Sequence, residues 1–257
     1  MTPREQFVSF KTIVIKEYLR FIRIWVQTVL PAGMTMALYF IIFGRLIGSQ
    51  IGSIDGLSYM DYIVPGVILM AIINNAYSNV VSSFFSAKFQ RHIEEMLVSP
   101  MPSYLIVMGF VAGGVIRGMI VGVVVLCVSL FFTNLHVLHP LATVVVIVLT
   151  AILFSLGGLI NAIFARTFDD ISIVPTFVLT PLTYLGGVFY SIDMLPQFWQ
   201  SVSLLNPILY MVNALRYGMV GVHDIDLGVA FTIIVLFVAV LFSAAVWLLN
   251  RGINMRT

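Results

Sequence analysis

SYLIVMGFVAGGVIRGMIVGVVVLCVSLFFT, residues 103–133, contains a single charged side chain, Arg117. As an α-helix this run would be roughly 46 Å long at a rise of about 1.5 Å per residue. That exceeds the hydrocarbon core of a bilayer, roughly 30 Å, and the run is far too long for the alternating segments of about 10 residues that build a membrane barrel. In lipid no water pairs with the backbone, so a run like this satisfies its own amides and carbonyls as a helix. It predicts a membrane-crossing helix.

The rest of the chain repeats the pattern. Of 257 residues, 60% are hydrophobic, only 13 are Lys or Arg and 11 Asp or Glu, and mean hydropathy is +1.07. A soluble domain carries about 25% charged residues. Apolar runs at roughly 26–46, 60–84, 103–133, 140–165, 171–190 and 227–250 predict six transmembrane helices in an all-α polytopic protein, a single transmembrane domain over 1–257. Positive charge sets the orientation. With the N-terminus inside, Arg4, Lys11, Lys16, Arg20, Arg23, Lys88, Arg91, Arg166, Arg251 and Arg256 are cytoplasmic, leaving Arg45, Arg117 and Arg216 elsewhere. Both termini are therefore expected in the cytoplasm. The start, MTPREQF, lacks the layout of a cleavable signal peptide. The lone Cys127 excludes an intramolecular disulfide, and a net charge of +2 with no basic block gives no sign of nucleic-acid binding.

Before the first run, residues 4–25 place Phe7, Phe10, Val14, Tyr18, Phe21 and Trp25 on one helical stripe, with Lys16, Arg20 and Arg23 opposite. This is the pattern of an interfacial amphipathic helix; a cytoplasmic extension of the first span is the alternative. In the third run Gly109 pairs with Gly113, and Gly114, Gly118 and Gly122 recur every four residues. Small residues at that spacing let helices approach closely, whether within the chain or between copies. The fifth run is broken by Pro175 and Pro181, which remove helix hydrogen bonds. The aromatic, half-polar stretch that follows predicts short re-entrant outer helices over 191–218, between spans five and six. His223, Asp224 and Asp226 read as a solvated turn, and His136 and His139 as a weak metal spacing.

The cytoplasmic stretch SAKFQRHIEEMLVSPMP, residues 86–102, puts Phe89, Ile93, Met96 and Leu97 on one helical face, and Pro100 and Pro102 end the helix. It is either a second interfacial helix or a knob that seats in a groove of a cytoplasmic protein. The pair Glu94-Glu95 suits a protein partner better than anionic lipid.

IEEMLVSP, ahead of a long helix, resembles the cytoplasmic loop of ABC-2 type export permeases, where an E-x-L-L-x-[ST]-P pattern is usual. Glu94 through Pro100 match, with Met96 for the first leucine, and Arg91-His92 standing where Gly-Thr is common. PTFVLTPLTYLGGVFYSIDMLP followed by LNPILYMVNALRYG, residues 175–218, is similar to that family's fifth-helix and outer-loop signature, including N-P-x-x-Y and the trailing arginine. The resemblance covers the whole chain. It implies a permease subunit of an ATP-driven exporter that works as a homodimer in the bacterial inner membrane, each copy on a separate cytoplasmic ATPase. It also implies that His92, Ile93, Glu94, Glu95, Met96 and Leu97 form the coupling contact of an 86–100 helix, with Asp169 and Asp170 as a lesser one. Family cargoes include polysaccharides, lipids, drugs and peptides, and the exported substrate stays open.

The residues agree with that division of labour. Lys11, Lys16 and Lys88 are the only lysines and none follows glycine, so a phosphate-binding G-x-x-x-x-G-K-[ST] loop is absent. ATP and Mg are expected on the partner, with no cofactor, metal or catalytic residue in this chain. Asn75 and Asn79 in the second run and Thr176, Thr180 and Thr183 in the fifth are candidates to line a substrate pathway. Equally, they pair with neighbouring helices. Asp61 and Asp193 sit at span edges, which argues against an ion-coupled carrier. Arg117, the one deep charge, is read either as a structural partner of Glu94, Glu95, Asp169 or Asp170 or as a substrate contact. The alternative to an exporter is a non-transporting scaffold whose loop helix recruits a cytoplasmic partner.

Overall fold

The computed structural model describes residues 1–54, 56–133 and 137–254; Arg256 and His136 lie outside them. Helix α1 (Pro3–Arg23) opens on a capping box in which the Thr2 hydroxyl accepts the Glu5 amide and the Glu5 carboxylate accepts the Thr2 amide at 2.8 Å. Helix α2 (Trp25–Ile51) winds into a π-helical segment over Phe40–Ile47. A small hairpin pairs β1 (Ser53–Ile54) with β2 (Leu57–Ser58). Then come α3 (Tyr59–Phe89), α4 (His92–Val98), α5 (Ser103–Ser129) and α6 (Pro140–Phe164). Helix α7 covers 170–184, and α8 (Gln197–Ser203), α9 (Pro207–Val220) and α10 (Leu227–Asn250) complete the chain.

Among the described residues, α2, α3, α5, α6 and α10 are long and apolar enough to cross a membrane. The fifth predicted run, 171–190, is helical only over 170–184, about 22 Å at the helical rise. It holds a π-helical segment at Pro175–Leu179, where the Thr180 hydroxyl donates to the Pro175 carbonyl at 2.9 Å. Gly186 and Gly187 then turn the chain, with Gly187 at φ +70°.

Helix α3 is the axis of the fold. It is buried over almost its whole length, between α5 and α6, with α9 against it and α10 against α6 and α9. Lipid supplies no hydrophobic drive between helices, so close approach does the work, and glycines provide it. The predicted glycine rows of α5 face helices of the same chain. Added Cβ atoms would lie 2.6 Å from Ile13 at Gly109, 2.6 Å from the Glu17 Cβ at Gly113, 3.2 Å from Ala76 at Gly118 and 2.9 Å from Ile72 at Gly122. The first two glycines thus receive α1 and the last two receive α3.

That groove also rotates α1 relative to its sequence pattern. Ile13, Glu17 and Phe21 are buried, while Phe7, Tyr18 and Trp25 stay exposed. Of the predicted apolar stripe, only Phe21 is buried against the protein; much of the rest remains available to lipid.

Gly158 of α6 meets α3 backbone: a Cβ there would lie 2.6 Å from the Tyr77 carbonyl oxygen, whereas at Gly157 the nearest atom is 3.8 Å away. Overpacking of this kind costs about 1–3 kcal/mol. Gly158→Ala is expected to lower the unfolding temperature in detergent clearly, and Gly157→Ala to leave it within error.

Candidate functional site

The short helix α4 is set at the C-terminal end of α3 by a left-handed residue. Arg91 has φ +61°, a conformation that costs an L-residue about 1–2 kcal/mol and glycine little. The resembling family commonly has Gly at this position. The helix ends where Ser99 turns extended ahead of Pro100. Ile93 is completely buried, and Met96 and Leu97 pack partly buried against the same core. Phe89, placed on that face by sequence periodicity, instead points outward at 59% exposure, because the left-handed turn after it breaks the helical register. On the outside are Arg91, His92, Glu95 and Val98, with Glu94 intermediate. The His92 ring stands 4.0 Å from the Glu95 carboxylate.

The loop at 165–169 lies beside the end of α3. The Phe168 ring meets Phe85 edge-on at 4.9 Å and Phe89 at 5.3 Å. Lys88, buried at the end of α3, donates its ammonium to the carbonyls of Ile163 at 2.7 Å and Ala165 at 2.8 Å. These are carbonyls a helix end leaves unpaired, and the cation also complements the helix dipole. Lys88 is therefore a fastener joining the 86–100 segment to the end of α6, a role hidden from sequence because its partners lie about 75 positions away. Asp170 accepts the amides of Arg166 at 2.8 Å and Thr167 at 3.0 Å, which holds its carboxyl below the usual carboxylate range. It shapes the loop, leaving the neighbouring Asp169 exposed. On the other side, the start of α1 (Met1, Arg4, Glu5, Val8, Ser9) and Pro100 border a cleft of about 490 Å³.

The pathway candidates fall in two places. Asn75 and Asn79 are buried between helices. The Asn75 oxygen accepts Arg117 Nε at 3.3 Å and Nη2 at 3.1 Å. The Asn79 oxygen accepts Arg20 Nη2 at 2.7 Å. The partner of Arg117 is thus Asn75, not Glu94, Glu95, Asp169 or Asp170. Thr183 is also buried, donating to the Leu179 carbonyl at 2.7 Å. Thr176 and Thr180 are exposed on α7.

A second buried charge escaped the sequence reading. Arg216 of α9 is fully buried with its guanidinium 3.8 Å above the Tyr62 ring centroid. It donates to the Gly187 carbonyl at 2.8 Å and stands 3.8 Å from the Asp224 carboxylate. Asp224 is therefore no solvated residue: its amide also donates to the Asn213 oxygen at 2.8 Å. Asp226 caps α10 by accepting the Val229 amide at 3.0 Å. Asn206 and Tyr210 of the N-P-x-x-Y motif serve the same outer corner. The Asn206 oxygen accepts the Ile208 amide, its nitrogen donates to the Leu182 carbonyl at 2.6 Å, and the Tyr210 hydroxyl donates to the Leu204 carbonyl at 2.7 Å. The motif thus pins α7, α8 and α9 together.

With this geometry in place, comparison with known proteins decides the family. A model of the ABC-2 type transporter family matches residues 8–220. The chain belongs to the ABC-2 type transporter family. It is similar to the inner membrane transport permease YadH of Escherichia coli K12, with 55% identity over 251 residues and 98% of each chain covered. More distantly it resembles nodulation protein J of Rhizobium leguminosarum bv. viciae, 24% identical over 83% of each chain. The corresponding protein of Rhizobium meliloti is 23% identical over 92% of this chain and 90% of its own. The chain is thus an ABC-2 type permease.

Removing one partner of a buried ion pair costs about 3–5 kcal/mol. Arg216→Met is expected to lose stability in that range by thermal unfolding in detergent, although the substitution keeps the apolar volume.

Proposed function

We propose that this permease is the membrane half of an ATP-driven exporter. Two copies form the pathway, each seated through α4 on a separate cytoplasmic ATPase that binds ATP and Mg; this chain supplies no catalytic residue. The observation that carries the reading is the division of α4 into two faces. Ile93 is locked into the core while Arg91, His92, Glu95 and Val98 are presented outward, beside Phe89, Phe168 and Asp169 of the adjoining surface. A partner pressing on that surface moves α3 and α6 together, since Lys88 ties their ends.

The chain then lies in the bacterial inner membrane, as the printed name of the Escherichia coli relative supports, with both termini in the cytoplasm as the distribution of Lys and Arg supports. In this reading α7 is the fifth of six spans, shortened and π-helical in part, and α8 and α9 return from the outer surface within the membrane. The exposed side of α7, with Thr176, Phe177 and Thr180, and the exposed apolar residues Leu30, Met34 and Leu38 of α2 face the second copy and the cargo. Export of an amphiphile between the two copies suits such a mixed apolar and hydroxyl surface.

Co-reconstitution with the ATPase in liposomes tests the reading. ATP hydrolysis should depend on this chain and rise with cargo; a scaffold would leave hydrolysis indifferent to cargo. The double change Glu94→Lys, Glu95→Lys should cut the permease-dependent hydrolysis about tenfold or more, the scale of two rim charges reversed against a complementary surface, with an unchanged unfolding temperature. Normal hydrolysis by that variant contradicts the contact.

A further inference from the structure

The buried cluster between α1, α3 and α5 holds one cation too many and more N–H donors than acceptors. Its ionised members are the carboxylate of Glu17 and the guanidiniums of Arg20 and Arg117; α3 contributes only neutral Asn75, Asn79 and Ser83. Both carboxylate oxygens are engaged, Oε1 by the Ser83 hydroxyl at 2.7 Å and Oε2 by Arg20 Nε at 3.3 Å. The side-chain oxygens of Asn75 and Asn79 are taken by Arg117 and Arg20. What remains is all donor. The Asn79 side-chain nitrogen is fully buried without an acceptor, and no acceptor among the described residues takes Nη1 of Arg20 or of Arg117.

Asn75 and Asn79 are one helical turn apart on α3, and each accepts from one of the two guanidiniums. The cluster opens at Arg20, whose side chain is 29% exposed. Lys16, one turn earlier on α1 and also exposed, adds positive charge at the entrance. Around it α1 also exposes the apolar side chains Tyr18, Leu19 and Ile22, besides Lys16 and Arg23.

We propose that Arg20 and Arg117 hold the phosphate of an anionic phospholipid headgroup, with the acyl chains lying along the apolar surface of α1. The phosphate supplies the missing acceptor and the balancing charge. A free phosphate offers the same oxygens, but the apolar rim favours an amphiphile. That the lipid comes from the inner leaflet rests on the cytoplasmic N-terminus proposed above; the binding itself does not.

The test uses the full chain without any ATPase, so its failure would leave the exporter reading untouched. In nanodiscs of phosphatidylcholine doped with phosphatidylglycerol, electron spin resonance of spin-labelled phosphatidylglycerol should show an immobilised fraction. Arg117→Gln and Arg20→Gln should each weaken that association about tenfold, the scale of one charge-assisted hydrogen bond. Arg23→Gln, on α1 but outside the cluster, should leave it as it is. Arg20→Gln alone carries the test if Arg117→Gln does not fold. Unchanged association in the Arg20 variant, or an equal loss in the Arg23 variant, overturns the proposal. So does stabilisation of the detergent-solubilised protein by inorganic phosphate with no immobilised lipid, which would assign the cluster to a free anion.

Discussion

Everything in this fold depends on how closely α5 and α6 approach α3. Lipid is as apolar as leucine, so burying leucine between helices gains little, and association falls to packing and hydrogen bonding. Gly118 and Gly122 of α5 and Gly158 of α6 remove the side chains that would hold the helices apart. The same surface, one turn away, uses Gly109 and Gly113 to accept α1. A helix that the sequence pattern assigns to the membrane surface is thereby docked onto the bundle.

Close packing makes buried polar groups tolerable. Arg117, Arg20 and Glu17 sit where an unpaired charge would cost several kcal/mol; Asn75 and Asn79 of α3 accept from the arginines and Ser83 donates to Glu17. At the C-terminal end of α3, Lys88 extends the rigid unit by joining α3 to the last carbonyls of α6. At its N-terminal end, Arg216 does the equivalent for α3, α9 and the turn at Gly187. The bundle is therefore stapled at both ends by a buried cation donating to carbonyls.

Much of this was legible in the sequence. Long apolar runs gave the helices to within a few residues, because a transmembrane segment answers to one local quantity. The short helix before Pro100 was legible too, whereas Pro175 and Pro181 do not interrupt α7 but sit at the start of and just after its π-helical segment. What escaped were the partners. Arg117 finds Asn75 rather than a carboxylate, Lys88 finds helix-end carbonyls, and Arg216 finds an aromatic ring and Asp224. None of these pairings leaves a periodic trace. Phe89 misled for a related reason: its helical register stops at Arg91, whose left-handed backbone carries no signature in a residue other than glycine.

The central claim is that α4 is a cytoplasmic lever fixed to a packed core. Labelling of a single cysteine tests it most directly. In a Cys127→Ser background, Glu95→Cys is probed with a membrane-impermeant maleimide. The account predicts labelling in inverted vesicles, none in intact cells, and protection once the ATPase is bound. Labelling from outside intact cells, or labelling that the bound ATPase leaves unaltered, would contradict it.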